Sequence, residues 1–196
     1  MPQHRHFILH KPYGYLSQFV YNQNRRKNKK LLGELNDFPT GTMSIGRLDE
    51  TSEGLLLLTT DGKVSAQVRS KKVEKEYYVQ LDGEITAAAI QVLQQGVEIG
   101  VKDQKYTTLP CKAHRLDPAP VFKARSKKVR DDRHGPTSWA SITIREGKFR
   151  QVRKMTAAVG FPTLRLIRVR IGAIKLNALP AGAFIEVNCF EITTVA

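Results

Sequence analysis

The amino-acid sequence predicts an α+β fold, a mixed and largely antiparallel central sheet with flanking helices. Three observations carry the prediction. Segments with strand character outnumber those with helical period, and the two do not follow regular βαβ alternation. One strand candidate, Leu55-Leu56-Leu57-Leu58-Thr59, is apolar almost throughout, which suits a strand covered on both faces. No repeat of fixed period and no low-complexity linker divides the 196 residues, a length that suits one domain or two small lobes.

In chain order, Phe7-Ile8-Leu9-His10 is a short strand stopped by Lys11-Pro12-Tyr13-Gly14, where proline and glycine force a turn. Arg25-Arg26-Lys27-Asn28-Lys29-Lys30 is a basic, exposed loop, and residues 31–35 form a short helix. A polar loop over 46–54 feeds the apolar strand 55–59, which Thr60-Asp61-Gly62 closes. Val64 and Val68, four apart, predict a helix after it. Residues 76–81 alternate as a strand does. Thr86 N-caps a helix over 87–95 that Gly96 ends. Residues 106–116 read as strand interrupted by Pro110, and 123–135 as a polar, mostly basic loop with freedom to move. Strand returns over 139–144. A helix over 148–159 carries the apolar stripe Val152, Met155 and Val159, with Gly160 at its stop. Residues 163–171 and 183–192 supply the remaining strands.

Lys and Arg number 32 against 18 Asp and Glu, for a formal charge of +14. A charge that large points to a polyanionic partner, nucleic acid before a membrane, because no basic helix carries a clean apolar face. Two cysteines, Cys111 and Cys189, exclude a disulfide framework and lack metal-ligand spacing, so both are expected as buried or half-buried thiols in a reducing compartment. No apolar leader and no span long enough for a bilayer is present, and the chain reads as cytoplasmic. His4, His6 and His10 lack the acidic or cysteine partners of a metal site, so no metal is expected. Nothing resembles a phosphate-cradling glycine loop, and no cofactor is called for.

The segment richest in chemistry runs from Gly46-Arg47-Leu48-Asp49-Glu50 to Thr59-Thr60-Asp61-Gly62. It sets a carboxylate and an arginine in a glycine-bounded loop against a rigid apolar strand, which is how a nucleophile is held in place. By residue type alone, Asp49 better suits a loop aspartate bonded to nearby amides. Asp49 and Glu50 are not one acid–base pair, since adjacent side chains of extended chain point apart.

Those seventeen residues resemble the catalytic motif of pseudouridine synthases, G-R-L-D-x-x-T/S-x-G-L-L-L-L-T-x-D-G. Other marks of that family follow in order. Lys11-Pro12-Tyr13-Gly14 resembles K-P-x-G, and Lys75-Glu76-Tyr77 resembles K-x-Y. Glu146-Gly147-Lys148-Phe149-Arg150-Gln151-Val152-Arg153-Lys154-Met155 resembles E-G-x-x-x-Q-V-R/K-R-M. Leu164-Arg165-Leu166-Ile167-Arg168 with Ile171-Gly172 resembles L-x-R-x-x-I-G. Within the family the spelling is similar to the branch typified by the A-type synthase of the small ribosomal subunit. Pro136-Thr137-Ser138-Trp139 and the stretch Gly160-Phe161-Pro162 through Arg168 are similar to its E-type members, which act on large-subunit (23S) ribosomal RNA. Most relatives in that branch carry an N-terminal S4-like RNA-binding module, whereas Lys11-Pro12 stands near the start here. Residues 1–196 are therefore expected to be a single catalytic domain without that module, selecting RNA through its own basic surface.

The resemblance implies the pseudouridine synthase fold, with two lobes around one cleft, and an isomerase that needs no cofactor. It implies Asp49 as nucleophile, Tyr77 against the target base and as acceptor of the C5 proton, and Arg153 as counter-charge to Asp49. Leu166 is implied beneath the uracil, and Arg47, Lys75 and Lys11 as substrate contacts. The partner is ribosomal RNA, with a uridine flipped from its stack, and the chain is expected to be a monomer. The alternatives are a sister synthase with another RNA target and a non-catalytic RNA-binding assembly factor; the presence of Asp49, Tyr77 and Arg153 together counts against the latter.

Overall fold

The computed structural model describes residues 4–21, 28–70, 73–130 and 132–192. Its elements are β1 (His6–Lys11), β2 (Tyr15–Leu16), β3 (Lys30–Leu31), β4 (Met43–Ser44), β5 (Glu53–Thr59), α1 (Gly62–Val68), β6 (Lys75–Asp82), α2 (Ala87–Gln95), β7 (Glu98–Val101), β8 (Gln104–Thr107), β9 (Lys112–Leu116), β10 (Thr137–Ile144), α3 (Gln151–Ala158), β11 (Thr163–Ile171), β12 (Ile174–Lys175) and β13 (Phe184–Val187). The α+β class read from the sequence is the one observed. The chain divides into two compact units, Met1–Val73 with Arg168–Ala196, and Glu74–Ile167.

In the first unit the strand order is β13-β1-β5, with β11 next to β5. β1 is antiparallel to both neighbours, pairing Leu9 with Leu56 of β5 and with Phe184 of β13. Leu55 to Leu58 have no exposed surface, as the apolar run demanded. β5 starts two residues before that run and takes in Gly54, at φ +105°. A Cβ there would stand 2.3 Å from Arg168 O and 2.7 Å from Arg168 N, so only glycine lets β5 approach β11 this closely. Phe38 joins the core edge-on to Phe7 and Phe19. The helix expected over 31–35 is a single 3-10 turn at Leu32–Glu34.

In the second unit the order is β11-β6-β10-β9, with β10 antiparallel to β6 and β9. One sheet face, with Val79, Leu81, Ala140, Ile142 and Leu166, packs against Ala89 and Leu93 of α2 and Val152 and Met155 of α3. Thr86 Oγ1 accepts from Ala89 N at 3.2 Å, the N-cap read from the sequence and typically about 1 kcal/mol of helix stability.

Several expectations are corrected. Residues 106–116 are not one interrupted strand. β8 pairs with β7 in a hairpin whose turn residues, Lys102 and Asp103, both have positive φ, and β9 joins the main sheet. The last strand ends at Val187, well short of 192. α3 begins at Gln151, three residues later than its period suggested, because Arg150 is left-handed at φ +53°. The basic loop 123–135 contains a 3-10 turn at Asp132–His134, and its described part is held down. Phe122 lies against Trp139 and Tyr78, Arg165 Nη2 donates to Lys123 O (3.0 Å), and Arg130 pairs with Asp82. Cys111 is half-buried as expected, with burial pushing its thiol up to about 11, but Cys189 is exposed.

Candidate active site

Asp49 opens a tight turn in which Ser52 N donates to Asp49 O at 3.0 Å. The residues on both sides of it are fixed from the neighbouring loop. The buried Ser17 hydroxyl donates to Leu48 O (2.8 Å) and accepts from Leu48 N (2.9 Å). Gly14 N donates to Glu50 O (2.8 Å), and Lys29 pairs with Glu50 at 2.9 Å. The Lys-Pro-Tyr-Gly turn and the Gly-Arg-Leu-Asp loop, 35 residues apart in the chain (Lys11 to Gly46), thus form one hydrogen-bonded assembly. Asp49 is half-buried, and Arg47 is exposed with Nη2 3.4 Å from Gln18 Oε1.

Lys11 is fully buried, and its ammonium donates to Tyr15 O (2.7 Å) and Pro12 O (3.0 Å). Burial pushes it down to about 7. Glu53, Asp49 and Glu50 oppose that fall, and Arg168 adds to it. The folded chain then releases this proton near pH 7, while the unfolded chain holds it to its ordinary value of 10.5. Between those values the unfolded state binds more protons, so stability rises with pH, with a slope approaching about 1.4 kcal/mol per pH unit. We expect urea unfolding between about pH 7 and 9 to show this rise, and Lys11→Met to remove it. A variant that keeps the wild-type slope would place the titration elsewhere.

In the second unit, strand alternation puts Tyr77 and Tyr78 on opposite faces. Tyr77 packs on the core that holds Leu166, Val152 and Met155, whereas Tyr78 meets Phe122. Leu166 is buried within that core. Arg153 leaves the buried side of α3 half-exposed, and its Nη1 donates to Thr163 O at 3.3 Å. Lys75 opens β6, with Nζ 3.5 Å from Arg145 O. The candidates thus form two groups: Lys11, Arg47 and Asp49 on adjoining loops of the first unit, and Lys75, Tyr77, Arg153 and Leu166 around one face of the second.

Sequence reasoning missed Ser17, which no spacing rule marks, and the use made of Glu146 and Gln151. It marked Arg168 only as part of a motif. Arg168 is buried beside Lys11's strand pair, and its Nε donates to Leu55 O at 2.7 Å. Arg25, Arg26, Lys27, Lys71 and Lys72 lie outside the described residues. Among the described residues no three His, Cys, Asp or Glu side chains are grouped as metal ligands. His6 Nδ1 lies 2.9 Å from Thr59 Oγ1, and His10 Nδ1 donates to Leu179 O at 2.7 Å. No helix among the described residues is long and apolar enough to cross a membrane.

Comparison with known proteins identifies the family. The sequence model of the family described as RNA pseudouridylate synthase matches residues 5–158. The ribosomal large subunit pseudouridine synthase E of Xanthomonas axonopodis pv. citri is 42% identical over 174 residues, which cover 88% of each chain. The protein of the same name from Vibrio parahaemolyticus is 41% identical over 183 residues, 92% of this chain and 73% of that one. Among solved structures, a crystal structure of a pseudouridylate synthase superposes with a TM-score of 0.74 at 27% identity, covering 95% of this chain and 71% of the other. Identity at this level over most of both chains, with every motif in order, settles the assignment: the chain belongs to the RNA pseudouridylate synthase family and is an RNA-modifying isomerase.

Proposed function

We propose that this chain converts one uridine of large-subunit ribosomal RNA to pseudouridine in the cytoplasm, as a monomer, with Asp49 as nucleophile. The observation that carries the nucleophile is the double clamp on its turn, by Ser17 on Leu48 and by Gly14 on Glu50. A reacting carboxylate must be held in place before the reaction, and a clamped backbone achieves that. The large-subunit target follows from the relatives named for that RNA.

The chemistry is an isomerisation. The N1–C1′ bond of uridine breaks with its electron pair going to the uracil, and Asp49 attacks or stabilises the cationic sugar carbon, as carboxylates do in glycoside hydrolysis. The uracil turns, C5 bonds to C1′, the C5 proton leaves and N1 gains one, so no co-reactant is consumed. Tyr77 supplies a flat face for the flipped base and accepts the C5 proton, and Leu166 lies beneath the uracil. Arg153 supplies the positive charge that the family resemblance implies for the reaction. Arg47 and Lys75 hold the RNA backbone, while Lys11 acts from inside the core through its field on Asp49.

The test is a map of pseudouridines in ribosomal RNA from cells lacking this chain. One site in the large-subunit RNA should vanish and return on complementation. Loss of a small-subunit site instead would redirect the target, and an unchanged map would end the proposal.

A further inference from the structure

The turn between β10 and α3 is built more rigidly than a connection requires. Glu146 is buried, and its carboxylate accepts from Tyr106 Oη (2.5 Å), Leu109 N (2.9 Å) and Gln151 Nε2 (2.6 Å). Gln151 Oε1 in turn accepts from Lys148 N (2.9 Å), closing the turn on itself. Lys148 Nζ stands 4.5 Å from the centre of the Tyr106 ring. Inside this frame Arg150 is left-handed at φ +53°, a conformation that costs a non-glycine residue about 1 kcal/mol or more and persists where the surroundings impose it.

What the frame presents is Phe149. Its side chain is 69% exposed, although it sits between a clamped carboxylate and the first turn of a packed helix. One cation lies against it and two more adjoin it in the chain. Lys154 Nζ lies 5.5 Å from its ring centre and is anchored by donating to Gly100 O at 2.5 Å, and Lys148 and Arg150 flank it in the chain. Scattered apolar side chains on a surface are ordinary. An aromatic ring set on a strained, fully bonded turn among basic residues, in an enzyme whose substrate is RNA, is the combination that binds unstacked bases.

We propose that Phe149 is a stacking platform for a nucleobase of the RNA substrate other than the flipped uridine, with Lys148, Arg150 and Lys154 serving the adjoining phosphates. The proposal rests on the family's RNA substrate and is independent of the role given to Asp49. A π-face accepts any base, so the contact adds affinity with little sequence preference.

The experiment compares Phe149→Ala, Phe149→Leu and Phe149→Trp with wild type, using in vitro transcribed large- and small-subunit ribosomal RNA. The comparison is made on whichever RNA the wild type modifies, so a wrong target assignment shows in the wild type alone. Phe149→Ala should weaken binding about 5- to 100-fold. Its melting temperature, its salt slope and its single-turnover rate at saturating RNA should be unchanged. Phe149→Trp should bind at least as well as wild type, and Phe149→Leu should bind like the alanine variant. Unchanged affinity in Phe149→Ala, or recovery in Phe149→Leu, would overturn the stacking role, and a lowered melting temperature would make the ring structural.

Discussion

Asp49→Asn is expected to bind ribosomal RNA as wild type does and to release no tritium from 5-tritiated uridine RNA. The substitution keeps the size and shape of the side chain and changes only its charge and nucleophilicity. The backbone around it is fixed by contacts that do not involve the carboxylate: Ser17 with both backbone groups of Leu48, and Gly14 with Glu50 O. The turn should therefore survive, and the loss is assigned to chemistry. Removing a nucleophile or its equivalent costs on the order of 10⁴-fold or more in rate. Retained binding separates this outcome from unfolding, and tritium release near the wild-type rate would remove Asp49 from the mechanism.

Gly54→Ala should fail to fold, or lose roughly 4 kcal/mol or more, a large share of the ~5–15 kcal/mol typical of a domain. Two independent penalties act there. The residue is at φ +105°, where an L side chain is strained, and its Cβ would sit 2.3 Å from the Arg168 carbonyl oxygen. That neighbour is backbone of an adjacent strand, so relief requires moving β5 from β11. Arg168 Nε also donates to Leu55 O, so the same movement breaks a buried hydrogen bond. The readout is the yield of folded protein and its unfolding midpoint. By contrast Gly62, whose Cβ would meet nothing within 4 Å, should accept alanine with little change. Equal tolerance at both positions would mean that β5 does not approach β11 this closely.

Much of this was legible in the residues themselves. The apolar run of β5, the Thr86 cap of α2 and the alternation that turns Tyr77 and Tyr78 to opposite faces depend on side chains a few positions apart, and a periodic reading catches them. The motif order was legible for the same reason, since each motif is a short local pattern. The late start of α3 was not, because Arg150 is left-handed at the end of a turn that Glu146 holds, and the partner of Glu146, Tyr106, is 40 positions away. Nor was the anchoring of the 123–135 loop, which depends on Arg165 reaching back 42 positions to Lys123 O.

Lys11 shows the division most clearly. The family resemblance implies it as a contact of the RNA substrate. Its place on β1 against Gly54 of β5 instead puts the ammonium in the core, where burial pulls its proton affinity down to about 7. By itself the sequence determined the α+β class, the strands that alternate or run apolar, and the family to which the chain belongs. Tertiary structure alone decided which charges are buried, which turns are strained and which aromatic ring stays exposed. Those properties depend on neighbours brought from tens of residues away, where neither period nor spacing in the chain can register them.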